Sequence, residues 1–530
     1  MQPRGECARL AAGLLALALI AAAARAWSAD RFSYRTLDDI ERAMQVGRLT
    51  SAGLVQHYLD RIAALDRRGP DLRAVIAINP DALEEARALD RERHDRGPRG
   101  PLHGIPILIK DNIETRDRMP TTAGSRALVR NFAERDAPVV AALRAAGAVI
   151  LGKTNLSEWA NFRSAEAVSG WSAVGGLTRN PYVLDRTACG SSSGSAVAVA
   201  AGMAAASLGT ETDGSITCPA SMNGLVGLKP THGLLPGEGI VPIAHSQDTA
   251  GPIGHRVADV ARLLDVLVTA TTATPAGATR AAPSAPASYT SALVAAALEG
   301  KRIGVLRFDP GAQRLLADVY EQALERLRSA GAVLVEVEPP DLRPIEAAER
   351  LVLLTEFKSD LDEYLSHTPP AVGVRNLAEL VDFDLRSPDE LTLFGQDVFL
   401  EAERTTGLDD PAYRQALAQS RQLAGAEGID RLLHEHALDL LVAPTTTPAW
   451  RIDTVLGDRD APTFTTLAAV AGYPHLTVPM GEVRDLPVGL SFIGPARSER
   501  LLLGAGYAFE QRSPRLPPPR FIPSLDGGSR

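Results

Sequence analysis

Lysine is conspicuously rare in this chain. Of its 55 basic residues only Lys110, Lys153, Lys229, Lys301 and Lys358 are lysine, the other fifty being arginine. Where a positive charge alone is wanted the sequence uses arginine. Each lysine therefore raises the question of what an ammonium does that a guanidinium cannot, and the answer is to give up its proton when desolvated. Cysteine is scarcer still, with Cys7, Cys189 and Cys218 alone. That excludes a disulfide framework and leaves stability to the core. Two buried thiols at Cys189 and Cys218 are expected, with a bridge between them left open. No CxxC, HExxH or paired-histidine spacing occurs, so neither a metal nor another cofactor is expected. Positive charge is also in deficit: a net charge of −9 and a pI near 5.7 argue against a nucleic-acid partner, which needs a basic face to neutralise phosphates.

Long apolar runs are missing too, except at the start. Arg4 and Arg9 precede an unbroken apolar stretch from Leu10 to Ala24, and Ala24-Arg25-Ala26 follows as a small-x-small cleavage site. This reads as a signal peptide over 1–26, cut after Ala26 or Ala29, and predicts a secreted or periplasmic protein without stable membrane association once it is removed. The competing reading, a membrane anchor, needs about 20 apolar residues, more than the run supplies.

The remaining pattern is α/β. Polar and apolar residues alternate helically from Thr36 to about Arg93. Ile105-Pro106-Ile107-Leu108-Ile109 reads as a short buried strand, 136–146 as a helix and Ala148-Val149-Ile150-Leu151 as the next strand. A Gly/Ser-dense stretch, 170–233, contains one Ala/Val-rich run, 195–208, of buried-helix composition. A helix at 255–268 is followed by an Ala/Pro-rich surface connection, 269–288. Further strands are expected at 303–306, 333–337, 438–442, 476–478 and 488–493. Helices at 312–330, 346–366, 411–437 and 498–512 separate them. The alternation predicts one large domain over 31–515, with a central mixed sheet covered by helices on both faces and a Pro-rich tail, 516–530.

Three features carry chemistry. Lys110 ends the apolar strand, where burial lowers an amine's pKa and makes the neutral form a competent base; the alternative is an ion pair with Asp111. Gly190-Ser191-Ser192-Ser193-Gly194-Ser195 runs straight into the Ala/Val helix, which a flexible linker rarely does. In Gly209-Thr210-Glu211-Thr212-Asp213-Gly214-Ser215-Ile216 a serine follows an Asp-Gly turn, whose successive N–H groups can converge on one anion. Gly190 to Gly194 also satisfies G-x-S-x-G, the nucleophile elbow of α/β-hydrolases, with Ser192 as nucleophile and His475 as its base. Residues 180–189 make a poor strand for that motif. His103 and Lys229, each beside a Pro or Gly turn, read as structural.

Together these segments resemble the amidase-signature family. The glycine-rich loop, the Gly209–Ile216 segment and Gly227-Leu228-Lys229-Pro230-Thr231 match its signature. Pro101 to Asp111, Gly147 to Trp159 and Asp248 to Pro252 match segments on either side, and the similarity covers about residues 31–515. The resemblance implies a serine amidohydrolase acting through an acyl-enzyme, with Ser215 as nucleophile, Ser191 as bridging serine on a cis peptide bond and Lys110 as base. It implies an oxyanion hole of backbone N–H groups from Thr212, Asp213, Gly214 and Ser215. Ser193 and Asp213 stand where many members have glycine, and an outward-turned Asp213 side chain would be tolerated. Both, with Ser169-Gly170-Trp171-Ser172 and Ser246-Gln247-Asp248, resemble the bacterial peptide amidase branch, which implies a C-terminal peptide amide as substrate. Broad-specificity amidase or esterase action and membership of an aminoacyl-tRNA amidotransferase complex are the alternatives. Residues 341–409 are expected to line part of the substrate entrance without a readable pattern.

Overall fold

The structure, a computed structural model, describes residues 32–272, 288–308, 313–458 and 463–525. The leader at 1–26, most of the connection at 269–288 and the last five residues of the tail lie outside them. Among the described residues no helix is long and apolar enough to cross a membrane.

The chain builds one α/β domain on an eleven-stranded mixed sheet. Its strands are β1 (Val75–Ile78), β2 (Pro106–Lys110), β3 (Val149–Thr154), β4 (Ala206–Glu211), β5 (Val226–Lys229), β6 (Thr249–Gly254), β7 (Arg302–Val305), β8 (Val333–Glu336), β9 (Leu440–Pro444), β10 (His475–Val483) and β11 (Leu486–Ile493). They lie in the order β1-β3-β2-β4-β6-β5-β10-β11-β9-β7-β8. The three strands that matter most, β3, β2 and β4, are parallel neighbours and are buried along their whole length. Such strands read as continuous apolar runs because both faces are covered. Leu143, Leu264, Leu267, Leu503 and Phe509 share one buried core with Ile107, Ile109 and Leu476. A smaller core gathers Ala196, Val199 and Ala220 with Ile253 and Leu225.

The pattern of 136–151 translates directly into a helix, Pro138–Ala145, and β3. Three expectations change. The Ala/Val run at 195–208 is not one helix: the helix ends at Ala200 and β4 begins at Ala206. Every residue of both is buried, so the run has no polar face to reveal a period. Within the helical stretch 36–93, Val75–Ile78 forms an antiparallel edge strand on β3. The Cys189 and Cys218 thiols, expected to be free, are joined in a disulfide.

The helix Ser193–Ala200 sits against the sheet because its residues are small. Gly194 donates its N–H to Asn155 O at 3.0 Å; a Cβ there would lie 2.3 Å from Ala74 O and 2.5 Å from Asn155 O. Gly194→Ala should therefore lower unfolding stability by about 1–3 kcal/mol through overpacking. Gly395→Ala, where a Cβ meets nothing within 4 Å, should stay within about 0.5 kcal/mol of the parent. Urea denaturation of the two variants checks the contrast.

Candidate active site

Parallel strands direct their C-terminal ends to one side, and the crevice beyond those ends is where open α/β sheets place their chemistry. Lys110 is the last residue of β2, and Thr210 and Glu211 close β4 beside it. The Lys110 side chain is fully buried, and its Nζ lies 2.7 Å from Ser191 Oγ, 2.7 Å from Thr210 Oγ1 and 3.2 Å from Thr210 O. Burial pushes its pKa down from 10.5 to about 7, against the upward pull of Asp248 and Glu211. A neutral amine has two N–H donors and one lone pair. The two Thr210 oxygens take the donors, which leaves the lone pair for the Ser191 hydroxyl proton. Asn112 Nδ2 also donates to Thr210 Oγ1, at 3.0 Å, so that oxygen is held as an acceptor.

The ion pair with Asp111 does not form. Asp111 lies 3.6 Å from Lys153 instead, and it accepts from the Thr122 N–H at 3.2 Å and from the Thr122 hydroxyl. Burial lifts its carboxyl to about 6. Asp248 and Glu211 are likewise occupied. Asp248 accepts from Thr212 Oγ1 at 2.5 Å and from the Ile243 and Ala244 N–H groups. Glu211 accepts from the N–H groups of Ile216 and Thr217 at 2.7 and 2.9 Å.

Ser191 follows a cis Gly190–Ser191 peptide bond, and its carbonyl accepts from Ser157 N at 3.1 Å. The next residue, Ser192, donates its N–H to Ser215 O at 3.1 Å, which sets the glycine-rich loop against the Asp-Gly-Ser turn. In that turn Gly214 has φ +77°, a conformation that favours glycine. Among the described residues, the N–H groups of Asp213, Gly214 and Ser215 donate to no protein acceptor, and the Ser215 hydroxyl has no hydrogen-bond partner. The arrangement thus offers a base, a hydroxyl in its grip, a second unengaged hydroxyl and adjacent free donors. These are the parts of a nucleophilic site.

Asp213 does not turn outward. Its Oδ2 accepts from Thr466 Oγ1 at 2.6 Å, and burial raises its pKa. Glu349, on the helix Arg343–Ser366, is raised well above the usual range by burial and by the nearby Asp213 charge. Gln247 Nε2 links the two segments, donating to Glu349 Oε1 at 2.8 Å and to Thr212 O at 3.4 Å.

The nucleophile-elbow reading does not survive this geometry. Ser192 Oγ donates to Thr210 O at 3.0 Å. His475 lies in β10 against Ser491 Oγ at 2.6 Å, and burial drives its pKa down to about 3. His103 is structural, held between Leu89 O and Arg99 N. Lys229 is buried against Pro230 O at 3.2 Å, its pKa lowered to about 8 by burial. Thr210, Asn112, Gln247 and Glu349 are the site residues that sequence reasoning missed. Thr210 belongs to the Gly209–Ile216 segment, but its role depends on strand register, which no local pattern reveals.

A family model described as amidase matches residues 53–503. An Arabidopsis thaliana protein described as a probable amidase is 39% identical over 497 residues, covering 92% of this chain and 91% of that one. A Symbiobacterium thermophilum protein, one of the chains of glutamyl-tRNA(Gln) amidotransferase, is 34% identical over 488 residues, covering 89% and 95%. Among solved structures, the native peptide amidase of Stenotrophomonas maltophilia is 52% identical with a TM-score of 0.85, covering 92% of this chain and 98% of that one. A peptide amidase in complex with its competitive inhibitor chymostatin is also 52% identical, with a TM-score of 0.86 and coverage of 92% and 99%.

If Lys110 activates the serines, the labelling of Ser215 by a fluorophosphonate should accelerate as pH rises through about 7, since the neutral amine is the active form. Lys110→Arg should remove that rise, and Thr210→Val should slow labelling about tenfold or more. Intact-mass kinetics across pH 5–9 measure all three.

Proposed function

The chain belongs to the amidase family and is a serine amidase, and from that premise we propose that it cleaves C-terminal amides of peptides to acid and ammonia through a Lys110–Ser191–Ser215 triad. The observation that carries the triad is the Lys110 hydrogen-bond set, Nζ within 2.7 Å of Ser191 Oγ and within 2.7 and 3.2 Å of the two Thr210 oxygens, in which a neutral amine spends its N–H groups on Thr210 and keeps its lone pair for Ser191. In the reaction, neutral Lys110 takes the Ser191 proton as Ser191 takes that of Ser215. The Ser215 oxygen attacks the amide carbonyl, and the oxyanion is met by backbone N–H groups of the Thr212–Ser215 turn. The proton returns through Ser191 to the leaving nitrogen, ammonia departs, and water activated along the same path hydrolyses the acyl-enzyme. The Ser191 and Ser215 hydroxyls, unbonded to one another at rest, close on each other when substrate fills the site, as catalytic hydrogen bonds often do.

The peptide assignment is supported by the 52% identity to peptide amidases, one of them solved with the peptide-like inhibitor chymostatin. Export is part of the same proposal. The Cys189–Cys218 disulfide supports it, since such bonds persist in oxidising compartments. The amidotransferase relatives keep one alternative in view, a component of a larger complex working on aminoacyl-tRNA.

An ammonia-release panel of peptide amides, aryl amides, fatty amides, free Asn and Gln decides among these. Peptide amides should give the highest kcat/KM. Preference for aryl or fatty amides would replace the substrate assignment, and turnover only with co-purifying protein chains and RNA would revive the amidotransferase. Lys110→Ala and Ser215→Ala should abolish hydrolysis, with His475→Ala keeping most of it; retained activity in Lys110→Ala would overturn the triad. The kcat should rise with pH through about 7, because protonated Lys110 cannot accept a proton.

A further inference from the structure

Cys189 lies two residues before Ser191 and Cys218 three residues after Ser215. Their disulfide spans 29 residues, with Cα atoms 6.0 Å apart. Each half of the bond is fixed to one serine's frame. On the glycine-rich loop, Cys189 sits at φ +56° with its N–H on Thr187 Oγ1 at 3.0 Å. Its carbonyl accepts from Ser193 Oγ at 2.5 Å, so the hydrogen bonds bracket Ser191. On the other side, Cys218 donates its N–H to Gly214 O at 2.9 Å, closing the turn that presents Ser215. The bond is packed among Tyr182, Val183 and Met222. Between the two frames runs a direct backbone hydrogen bond, Ser192 N to Ser215 O, and the covalent link beside it.

We propose that the Cys189–Cys218 disulfide is a positioning element of the reaction: it holds Ser191 and Ser215 in the mutual geometry that proton relay requires, so that the dithiol form stays folded but turns over slowly. The proposal rests on the triad reading above. Two hydroxyls that must exchange a proton tolerate little misplacement, and an error of about 1 Å costs up to about a hundredfold in rate. Opening the bond takes two electrons and two protons; dithiothreitol supplies both, becoming its cyclic disulfide as Cys189 and Cys218 become thiols. A chain still in a reducing compartment would thus be held at low activity until oxidation completes its site.

The test compares three forms of the full enzyme on an amide that the oxidised form hydrolyses: oxidised, reduced by dithiothreitol, and Cys189→Ser/Cys218→Ser. The gain of two hydrogens in intact mass identifies the reduced form. Both bond-free forms should show kcat lower by about ten- to a hundredfold and KM within about threefold. The pH limb near 7 should be the same in all three, because Lys110 is anchored on β2 and not on the cysteine pair. Reoxidation should restore the reduced enzyme and leave the serine variant unchanged. A kcat within about twofold of the oxidised enzyme in either bond-free form overturns the proposal. So does a loss accompanied by collapse of the circular dichroism spectrum in both forms, since the bond is then only structural. If dithiothreitol leaves the bond intact, the serine variant carries the test; if that variant does not fold, the reduced enzyme does. Failure of the oxidised enzyme to hydrolyse any amide counts against the function proposed above and is read separately.

Discussion

The site depends on keeping one amine uncharged inside the sheet. Lowering the Lys110 pKa from 10.5 to about 7 corresponds to on the order of 5 kcal/mol disfavouring its charged form. The strands on either side supply that condition, since β3 and β4 are buried throughout and exclude the water that would solvate an ammonium. Nothing adjacent restores the charge by pairing. The acids that could do so are committed elsewhere, Asp111 to Lys153 and Thr122, Asp248 to the Ile243 and Ala244 amides, and Glu211 to the Ile216 and Thr217 amides. A carboxylate that spends its lone pairs on backbone N–H groups fixes a loop, and it leaves the neighbouring lysine free to titrate near neutrality.

The same distribution bears on the turn that carries Ser215. A full negative charge on Asp213 would oppose an oxyanion forming at the Asp213, Gly214 and Ser215 N–H groups. Burial raises the pKa of Asp213, and both burial and Asp213 raise that of Glu349. The pair resists carrying two charges because like carboxylates in one dry site cannot both ionise readily. Thr466 donates to Asp213 Oδ2 and Gln247 to Glu349 Oε1, so the orientation of each is set by a neutral donor. Asp213 and Glu349 together thus carry less negative charge beside the Gly214 turn than two ordinary carboxylates would.

How much of this was legible in the sequence differs from one residue to the next. Lys110 stood out by itself, as a rare lysine closing an apolar strand in an arginine-rich chain. Ser191 and Ser215 did not: four serines crowd the glycine-rich loop, and only family resemblance separated Ser191 from Ser192. The chain-local α/β rhythm came through at 136–151, where helix and strand carry different periods. It failed at 195–211, where total burial erases the period. Strands β5 and β6 escaped notice because Val226-Gly227-Leu228-Lys229 and Thr249 to Gly254 are glycine-rich, a composition that reads as loop. Thr210 and Asn112 act across 100 and 98 residues of sequence. Such pairings are consequences of strand order, and strand order is not written locally. The inward turn of the Asp213 side chain was illegible for the same reason, its partner being 253 residues away.

Residues 341–409 show how an unreadable segment can still be tightly placed. Their acids reach back to the loops beside the sheet and accept from them. Glu390 takes the Arg126 N–H at 2.6 Å and the Ser125 hydroxyl at 3.1 Å, Glu356 the Ser246 N–H at 2.9 Å, and Asp360 the His245 N–H at 2.7 Å. Arg163 completes the attachment from the other side, buried between Glu158 and Glu390 with its guanidinium over the Phe394 and Trp171 rings. These anchors are isolated side chains meeting backbone amides, so they impose no hydrophobic period on the helices between them. Between the anchors Leu354, Phe357, Leu361 and Leu365 are buried in one apolar cluster with Leu128, Trp159 and Ile243. The segment is thus tied to the sheet-bearing core twice, by buried acids on backbone amides and by an apolar seam.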